Sequence, residues 1–500
     1  MSGKIKFLLP CERGQMGWVK IQPILNIFYQ ISQIPHPSGQ TSTLRDFLIE
    51  FLKKCHCAIK TDSAGNIHAI KGKPTLIFQA HYDMVLVGQK IAPFIENGIL
   101  KSHDSSLGAD NGIAIALLLH FAQTRNNIEI LLTNDEEIGM LGAKNIALYT
   151  QSKIMINLDS ECINEICVGC AGGFDADIAL DSSLRDLSIP NQSNPKNIAF
   201  YELTAQNFRG GHSGIDIDKN IQNAIVELLW TLESLREMCE FEIVEICGGE
   251  ARNSIPINAR AVIAVNLGNL SLGNHSANTE IVLDAPKSSL QENNLLTCKS
   301  RQRGWVDSVN LTQIAKSKQS TPHIAIKKLT NFTPKYPLPS DIIPHLLRLH
   351  NGIYEVQGDS VTSSLNFSLI SNESLKIMVR ANSTEFLRRH KSRLKSLFGA
   401  NIAFSGFYNA WERESSGNSP ILSQLQKIYA KHKIPYKIVQ IHAGLECGIL
   451  KEKCALNEVV SIGPTILHPH SKSESLYLDS VGQIYDILCD LIPTIKKGKI

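Results

Sequence analysis

The sequence predicts an α/β fold with a mostly parallel sheet, split by an inserted α+β lid domain, and three observations carry that reading. Runs rich in apolar residues, at 75–79, 128–133 and 153–158, read as buried strands. A strongly helical stretch at 111–123 and a weaker one at 142–149 alternate with them. The texture changes at the polar, proline-containing segment 189–196, a hinge or linker, and the α/β pattern returns from about Gly406. The expected division is a main domain over 1–185 and 401–500, interrupted by a lid over 186–400.

In chain order, apolar residues recur at helical spacing over 24–31 and 43–54, with Pro35, Pro37 and Gly39 punctuating the gap. The turn signal 62–66 leads into a short strand at 67–70. Beyond the hinge, strand 200–206, helix 220–237 and the strand pair 241–244 and 259–266 make one α+β unit. Helix 341–350, strands 363–370 and 375–380 and helix 383–398 make a second, so the lid is expected to have two lobes. Residues 267–321 are polar and poorly periodic and receive no assignment. Helix 419–432 and strands 437–441 and 459–462 complete the main domain.

Composition excludes several functions. With 50 basic and 47 acidic residues there is no basic stripe to neutralise a phosphate backbone, so no nucleic-acid partner is expected. No apolar run approaches the roughly 18 residues of a membrane span, and the apolar stretch near residues 4–11 is too short, and too interrupted by Pro10, for a signal-peptide core. Neither membrane nor export is expected. The 12 cysteines are scattered, several within apolar runs where a free thiol packs as a small hydrophobe, which suits a reducing cytoplasm. Cys162, Cys167 and Cys170 lack a nearby fourth cysteine to complete an iron–sulfur motif.

The chemistry gathers at successive strand ends: His81 and Asp83 after the first run, Asp135-Glu136-Glu137 after the second, Asp159 after the third. In open α/β sheets, sites form beyond the carboxyl ends of strands. Asp110 stands in a glycine-flanked loop that opens a helix, free to reach outward. Hydrolytic zinc takes nitrogen from histidine and oxygen from carboxylates, and a two-metal site needs a bridging carboxylate. Taken singly, a His-x-Asp is more often a loop pair and an acidic triplet a solvated turn; together at strand ends they point to a metal hydrolase. Asp83, two residues beyond His81 in extended geometry, lies on the same side and can hold the imidazole. Of Glu136 and Glu137, one can bind metal while the other carries protons, and spacing does not say which.

The segments QAHYDMV (79–85), SLGADNGIAIA (106–116), LLTNDEEIGMLGA (131–143), INLDSE (156–161), VGCAGG (168–173), RGGHSGIDI (209–217), HAGLECGIL (442–450) and SIGPTILHPHS (461–471) resemble the aminoacyl-histidine dipeptidase family (Xaa-His dipeptidase, peptidase D), within the aminoacylase and carboxypeptidase-like metallopeptidases. The motifs occur in family order from about residue 24 to the C-terminus. The resemblance implies two zinc ions, with cobalt or manganese as substitutes, bridged by Asp110; His81 and Asp159 complete one site, Glu137 and His470 the other. It makes Glu136 the general base and Asp83 the residue that orients His81. His470 is preferred to His468 because the family's ligand histidine directly precedes serine. His212 resembles a lid histidine that stabilises the oxyanion, Arg380 an arginine that binds the substrate's C-terminal carboxylate, and Gly444 a backbone position near the ligand.

The implied activity is hydrolysis of unblocked dipeptides, including those ending in histidine, by a cytoplasmic enzyme that forms a homodimer through its lid. A tripeptidase or an N-acyl amino acid hydrolase is the rival within the family, and a catalytically silent peptide- or metal-binding protein the rival outside it. Two departures stand out. Thr41-Ser42 occupy a place where the family often has an acidic pair, and the polar stretch of the lid matches poorly.

Overall fold

The computed structural model describes residues 16–180, 198–237, 239–266, 281–284, 322–329, 332, 338–358, 360–412 and 419–494. The hinge expected at 189–196 lies outside them, as does most of 267–321. Two compact units result, one of residues 1–172 and 408–500, the other of 173–407, where the sequence reading placed the joints at 185/186 and 400/401.

The first unit is built on an eight-stranded sheet in the order Ala58–Thr61, Ile67–Lys71, Ile128–Thr133, Ile77–His81, Ile154–Asn157, Glu458–Ser461, Glu165–Cys170, Lys437–Ile441. Its centre is parallel: Ile77–His81 pairs in parallel with both Ile128–Thr133 and Ile154–Asn157, and the last of these with Glu458–Ser461. Antiparallel pairs finish the near edge. The two central strands Ile77–His81 and Ile128–Thr133 are buried at every residue, which is why their sequences are mostly apolar.

Helix Ala109–Thr124 packs within this core and is buried nearly all round, with Leu117, Leu118, Leu119 and Phe121 fully enclosed. Each such side chain contributes about 1.5–3 kcal/mol by leaving water. Asp110 and Asn111 have non-helical backbone angles at its start, so the regular helix begins just beyond them, as the sequence predicts. The expected helix at 142–149 shrinks to Leu141–Lys144. The chain beyond it leaves the helical path: the amide of Ala147 donates to Asp62 Oδ2 (3.0 Å), not to a helical carbonyl. A small four-stranded sheet, Ile466–Leu467, Ser475–Tyr477, Ile99–Ser102 and Pro93–Glu96, ties the C-terminal part of the unit to its N-terminal part.

In the second unit the two α+β patterns join in one eleven-stranded sheet over a common apolar core. Strands Phe241–Gly248 and Ser360–Ile370 meet through the pair Gly248↔Ile370, so the two expected lobes are halves of a single layer. Pairing here is antiparallel, as in Ile198–Gln206 with Ala259–Asn266 and Ser360–Ile370 with Ser374–Ala381. The unit's two longer helices start at side-chain caps that satisfy first amides: Asn223 accepts from Ile225 and Val226, and Ser383 from Glu385.

Candidate metal centre

His81 is the last residue of a central strand and is 1% exposed. Its Nδ1 lies 3.0 Å from the backbone carbonyl of Asp83. A carbonyl only accepts, so Nδ1 carries a proton, and Nε2, on losing its own, is the ring atom able to bind a metal. Nε2 points at Asp110 Oδ1 (3.2 Å) and Asp159 Oδ1 (3.1 Å). The carboxylate of Asp83 is farther from the imidazole, 3.5 Å from Nδ1. Its oxygens instead accept from the amides of Glu136 (2.9 Å) and Glu137 (3.2 Å) and from Ser38 Oγ (2.7 Å). Asp83 thus holds the imidazole through its carbonyl and the Glu136-Glu137 turn through its side chain. Burial works against the Asp83 carboxylate, but His81, Ser38 and the amide of Glu136 keep its pKa below the usual value.

The second face of Asp110 meets His470. His470 Nε2 lies 3.0 Å from Asp110 Oδ2 and 2.7 Å from Glu137 Oε1. Three sets of potential ligand atoms therefore converge: His81, Asp110 and Asp159; Asp110, Glu137 and His470; and His81, Glu136 and Glu137. His468 falls in none of them among the described residues. The turn carrying the glutamates folds back closely: the amide of Gly142 donates to Asn134 O, and a Cβ at Gly142 would stand 2.2 Å from that oxygen.

Burial tends to raise the Asp110 pKa, yet the hydrogen bonds from His470 and His81 outweigh it and hold it well below the carboxylate range. Burial would lower His470, but Asp110 and Glu137 lift it to about 11. Burial, then the charge of Glu137, pushes Glu136 well above its usual value. Carboxylates packed this closely call for positive charge, and here the imidazoles supply it.

The donor set fits a pair of divalent ions. Two ligand atoms each about 2.0–2.1 Å from one tetrahedral zinc are roughly 3.3 Å apart, close to the His81–Asp110, His81–Asp159 and His470–Asp110 separations of 3.2, 3.1 and 3.0 Å. Asp110 offers one oxygen to each group, as a bridging carboxylate must.

One curated relative and two solved structures bear on this site. The cytosol non-specific dipeptidase of Escherichia coli is 30% identical over 96% of this chain and 99% of its own length. The chain belongs to the family of that dipeptidase. Aminoacylhistidine dipeptidase from Vibrio alginolyticus has the same fold, with a TM-score of 0.65 at 26% identity over 95% of this chain and 96% of that one. The resemblance read from the motifs is thereby borne out, and the protein is a peptide hydrolase. A tripeptidase from Staphylococcus aureus shares the fold at 13% identity, with a TM-score of 0.53 over 95% of this chain and 98% of that one. Residues 65–167 match the model of peptidase family M28, and residues 195–278 that of a peptidase dimerisation domain.

The remaining residues singled out from sequence lie as follows. His212 begins a tight loop in the second unit, where its Nδ1 accepts from the amides of Gly214 (3.2 Å) and Ile215 (3.1 Å). A neutral imidazole that accepts at Nδ1 carries its proton on Nε2. Arg380 sits on strand Ser374–Ala381 and is 4% exposed. Gly444 belongs to the first unit, where a Cβ would meet Tyr408 Oη at 2.8 Å and Met140 Cε at 3.2 Å.

Sequence reasoning passed over three polar residues at this centre. Asn111 donates through Nδ2 to Asp159 Oδ1. Glu446 is wholly buried, accepts from Gln79 Nε2 (2.7 Å) and Thr133 Oγ1, and is pushed up to about 8 by burial. Burial and then the charges of Asp110 and Asp159 push Glu161 up to about 8 as well. A signal for each was present, since all three stand inside the quoted motifs.

Among the described residues no helix is long and apolar enough to cross a membrane.

Proposed function

We propose that the protein is a two-metal dipeptidase that hydrolyses unblocked dipeptides, including those ending in histidine, with zinc as the metal. The observation that carries this reading is the two-faced placement of Asp110, one oxygen toward His81 and the other toward His470. Names of the relatives support the dipeptide substrate: one is called a non-specific dipeptidase and another an aminoacylhistidine dipeptidase.

His81, Asp110 and Asp159 would hold one ion, and Asp110, Glu137 and His470 the other. When bound, such a pair lowers the pKa of a water to near neutrality and polarises the substrate carbonyl. Glu136 takes a proton from the attacking water and returns it to the departing amine; its burial beside Glu137 suits a carboxylate that must bind and release a proton. Asp83 keeps the Glu136-Glu137 turn and the His81 ring in register. His212, with its proton on Nε2, is suited to donate to the carbonyl oxygen as negative charge develops there. Arg380 offers a planar fork of donors for the substrate's C-terminal carboxylate. Gly444 lets backbone come near the ligand. The match to a peptidase dimerisation domain supports a homodimer formed through the second unit, and the name of the Escherichia coli relative supports a cytoplasmic site of action.

The test is release of histidine from Gly-His and β-Ala-His by zinc-loaded protein, with an N-acetylated dipeptide alongside. Cleavage of the free dipeptides alone is expected. Cleavage of the blocked one alone would make the protein an acylase, and no cleavage of either would make it a binding protein.

A further inference from the structure

One buried carboxylate near the centre takes no part in the ligand groups or in the proposed proton transfer. Glu474 is 3% exposed and lies four residues beyond His470. Its Oε2 accepts from the amides of Leu107 (2.8 Å) and Gly108 (3.0 Å), and its Oε1 from those of Ala109 (2.8 Å) and Asp110 (3.2 Å). Four consecutive amides thus close on a single side chain.

The local sequence explains the concavity. Gly108 adopts a left-handed backbone (φ +68°), which turns the run Leu107–Asp110 so that its amides face one way at the start of helix Ala109–Thr124. The first amides of a helix have no partner within it, and Leu107 and Ala109 are fully buried, so water does not reach them either. An anion here also meets the positive end of the helix dipole. Hydrogen bonds to a charged acceptor are roughly twice as strong as neutral ones.

The placement does more than cap a helix. Asp110 is gripped from the same loop at two points: its amide by Glu474 and its Oδ2 by His470. The backbone of Asp110 has non-helical angles, and the regular helix starts only beyond Asn111. Its carboxylate is therefore directed by His81 on one oxygen and by the loop 470–474, which holds both the other oxygen and the amide. We propose that Glu474 is a positioning residue that locks the Asp110 loop to the His470 loop, and so sets the shared ligand of the two-ion centre. This rests on the two-metal reading given above.

Loss of the lock should weaken the ion held by Asp110, Glu137 and His470 more than the ion held by His81, Asp110 and Asp159. The first ion takes two of its ligands from the tethered loops; the second takes His81 and Asp159 from strand ends that Glu474 does not touch.

The experiment measures stepwise zinc affinities of the full-length protein by chelator competition, for wild type, E474Q and E474D, with thermal melts of the metal-free proteins alongside. In E474Q the amide nitrogen opposes two of the four N–H donors. The weaker zinc site is expected to lose roughly 10–100-fold in affinity, the range found when outer-shell partners are removed, while the tighter site changes much less. E474D keeps the charge and should fall between. A lowered melting temperature with both affinities unchanged in E474Q would make Glu474 merely structural and overturn the proposal; if E474Q does not fold, E474D is judged by the same criterion. Failure of wild type itself to bind two ions would overturn the two-metal reading, and this proposal with it.

Discussion

The two histidines that converge on Asp110 do so from different supports. His81 ends a central strand, is enclosed, and has its ring fixed by the Asp83 carbonyl 3.0 Å away. His470 stands on a loop at φ +58°, with 43% of its side chain exposed. A residue at a sheet's centre is held by everything that holds the sheet, whereas a loop residue is held only by the contacts made for it. The difference teaches that the two halves of the proposed metal centre are not equally supported. The strand half should bind tightly, and the loop half should depend on auxiliary bonds such as those of Glu474.

The largest effect should come from the residue both halves share. Asp110→Ala should abolish turnover and reduce bound zinc from two ions to one or none, read by elemental analysis after gel filtration. Two ions retained with turnover intact would erase the comparison by removing its midpoint.

Next is Glu136→Gln, which should lower kcat by roughly 10²–10⁴-fold, the usual worth of a general base. Both ions should remain, because neither half is anchored by this residue in the proposed scheme. An unchanged kcat would remove Glu136 from its role.

The comparison itself is sharpened by His81→Ala against His470→Ala, each measured by urea unfolding without metal. Truncating His81 leaves buried partners unpaired where water does not reach and should cost about 1–3 kcal/mol; truncating His470 also strips a partner from Asp110 and Glu137, but its 43% exposed side chain gives way to water, so it should cost less. Equal costs would mean that the supports do not differ.

A buried carboxylate outside the centre provides a contrast. Glu227, 3% exposed on helix Ala224–Arg236, accepts from Gln222 Nε2 at a long 3.5 Å, and burial pushes it up to about 7. A raised carboxyl contributes stability that is fully present below its ordinary pKa of 4.5 and is lost as pH rises through about 7. Glu227→Gln should therefore melt higher than wild type at pH 8 and lose that advantage at pH 5. The same difference at both pH values would contradict the assignment.

Smallest of all, Ser38→Ala removes one of the hydrogen bonds to Asp83 and should cost about 1 kcal/mol, visible as a small shift of the denaturation midpoint with both zinc ions still bound.

Much of this was legible in the sequence where a single physical signal dominated. The run Ile128–Thr133, apolar but for Glu129 and the terminal threonine, reads as a buried strand, and it is one, to the residue. The first strand was read at 75–79 and runs Ile77–His81 instead, because hydrophobicity ends at Ala80 while the backbone continues through a buried histidine. The small sheet of Pro93–Glu96, Ile99–Ser102, Ile466–Leu467 and Ser475–Tyr477 went unread since its strands are short and their partners far apart in sequence. The residues that converge on Asp110 were named by motif. What sequence could not supply was the geometry of support: that Asp83 grips His81 by its carbonyl, or that Glu474 reaches amides more than 360 positions away. Hydrogen bonds to backbone leave no compositional trace.

The most direct test of the central claim is anomalous diffraction from zinc-soaked crystals. Two peaks about 3.5–4 Å apart, flanking Asp110, with one beside His81 and Asp159 and the other beside His470 and Glu137, are the predicted result. A single peak, or peaks that leave Asp110 to one side, would contradict it.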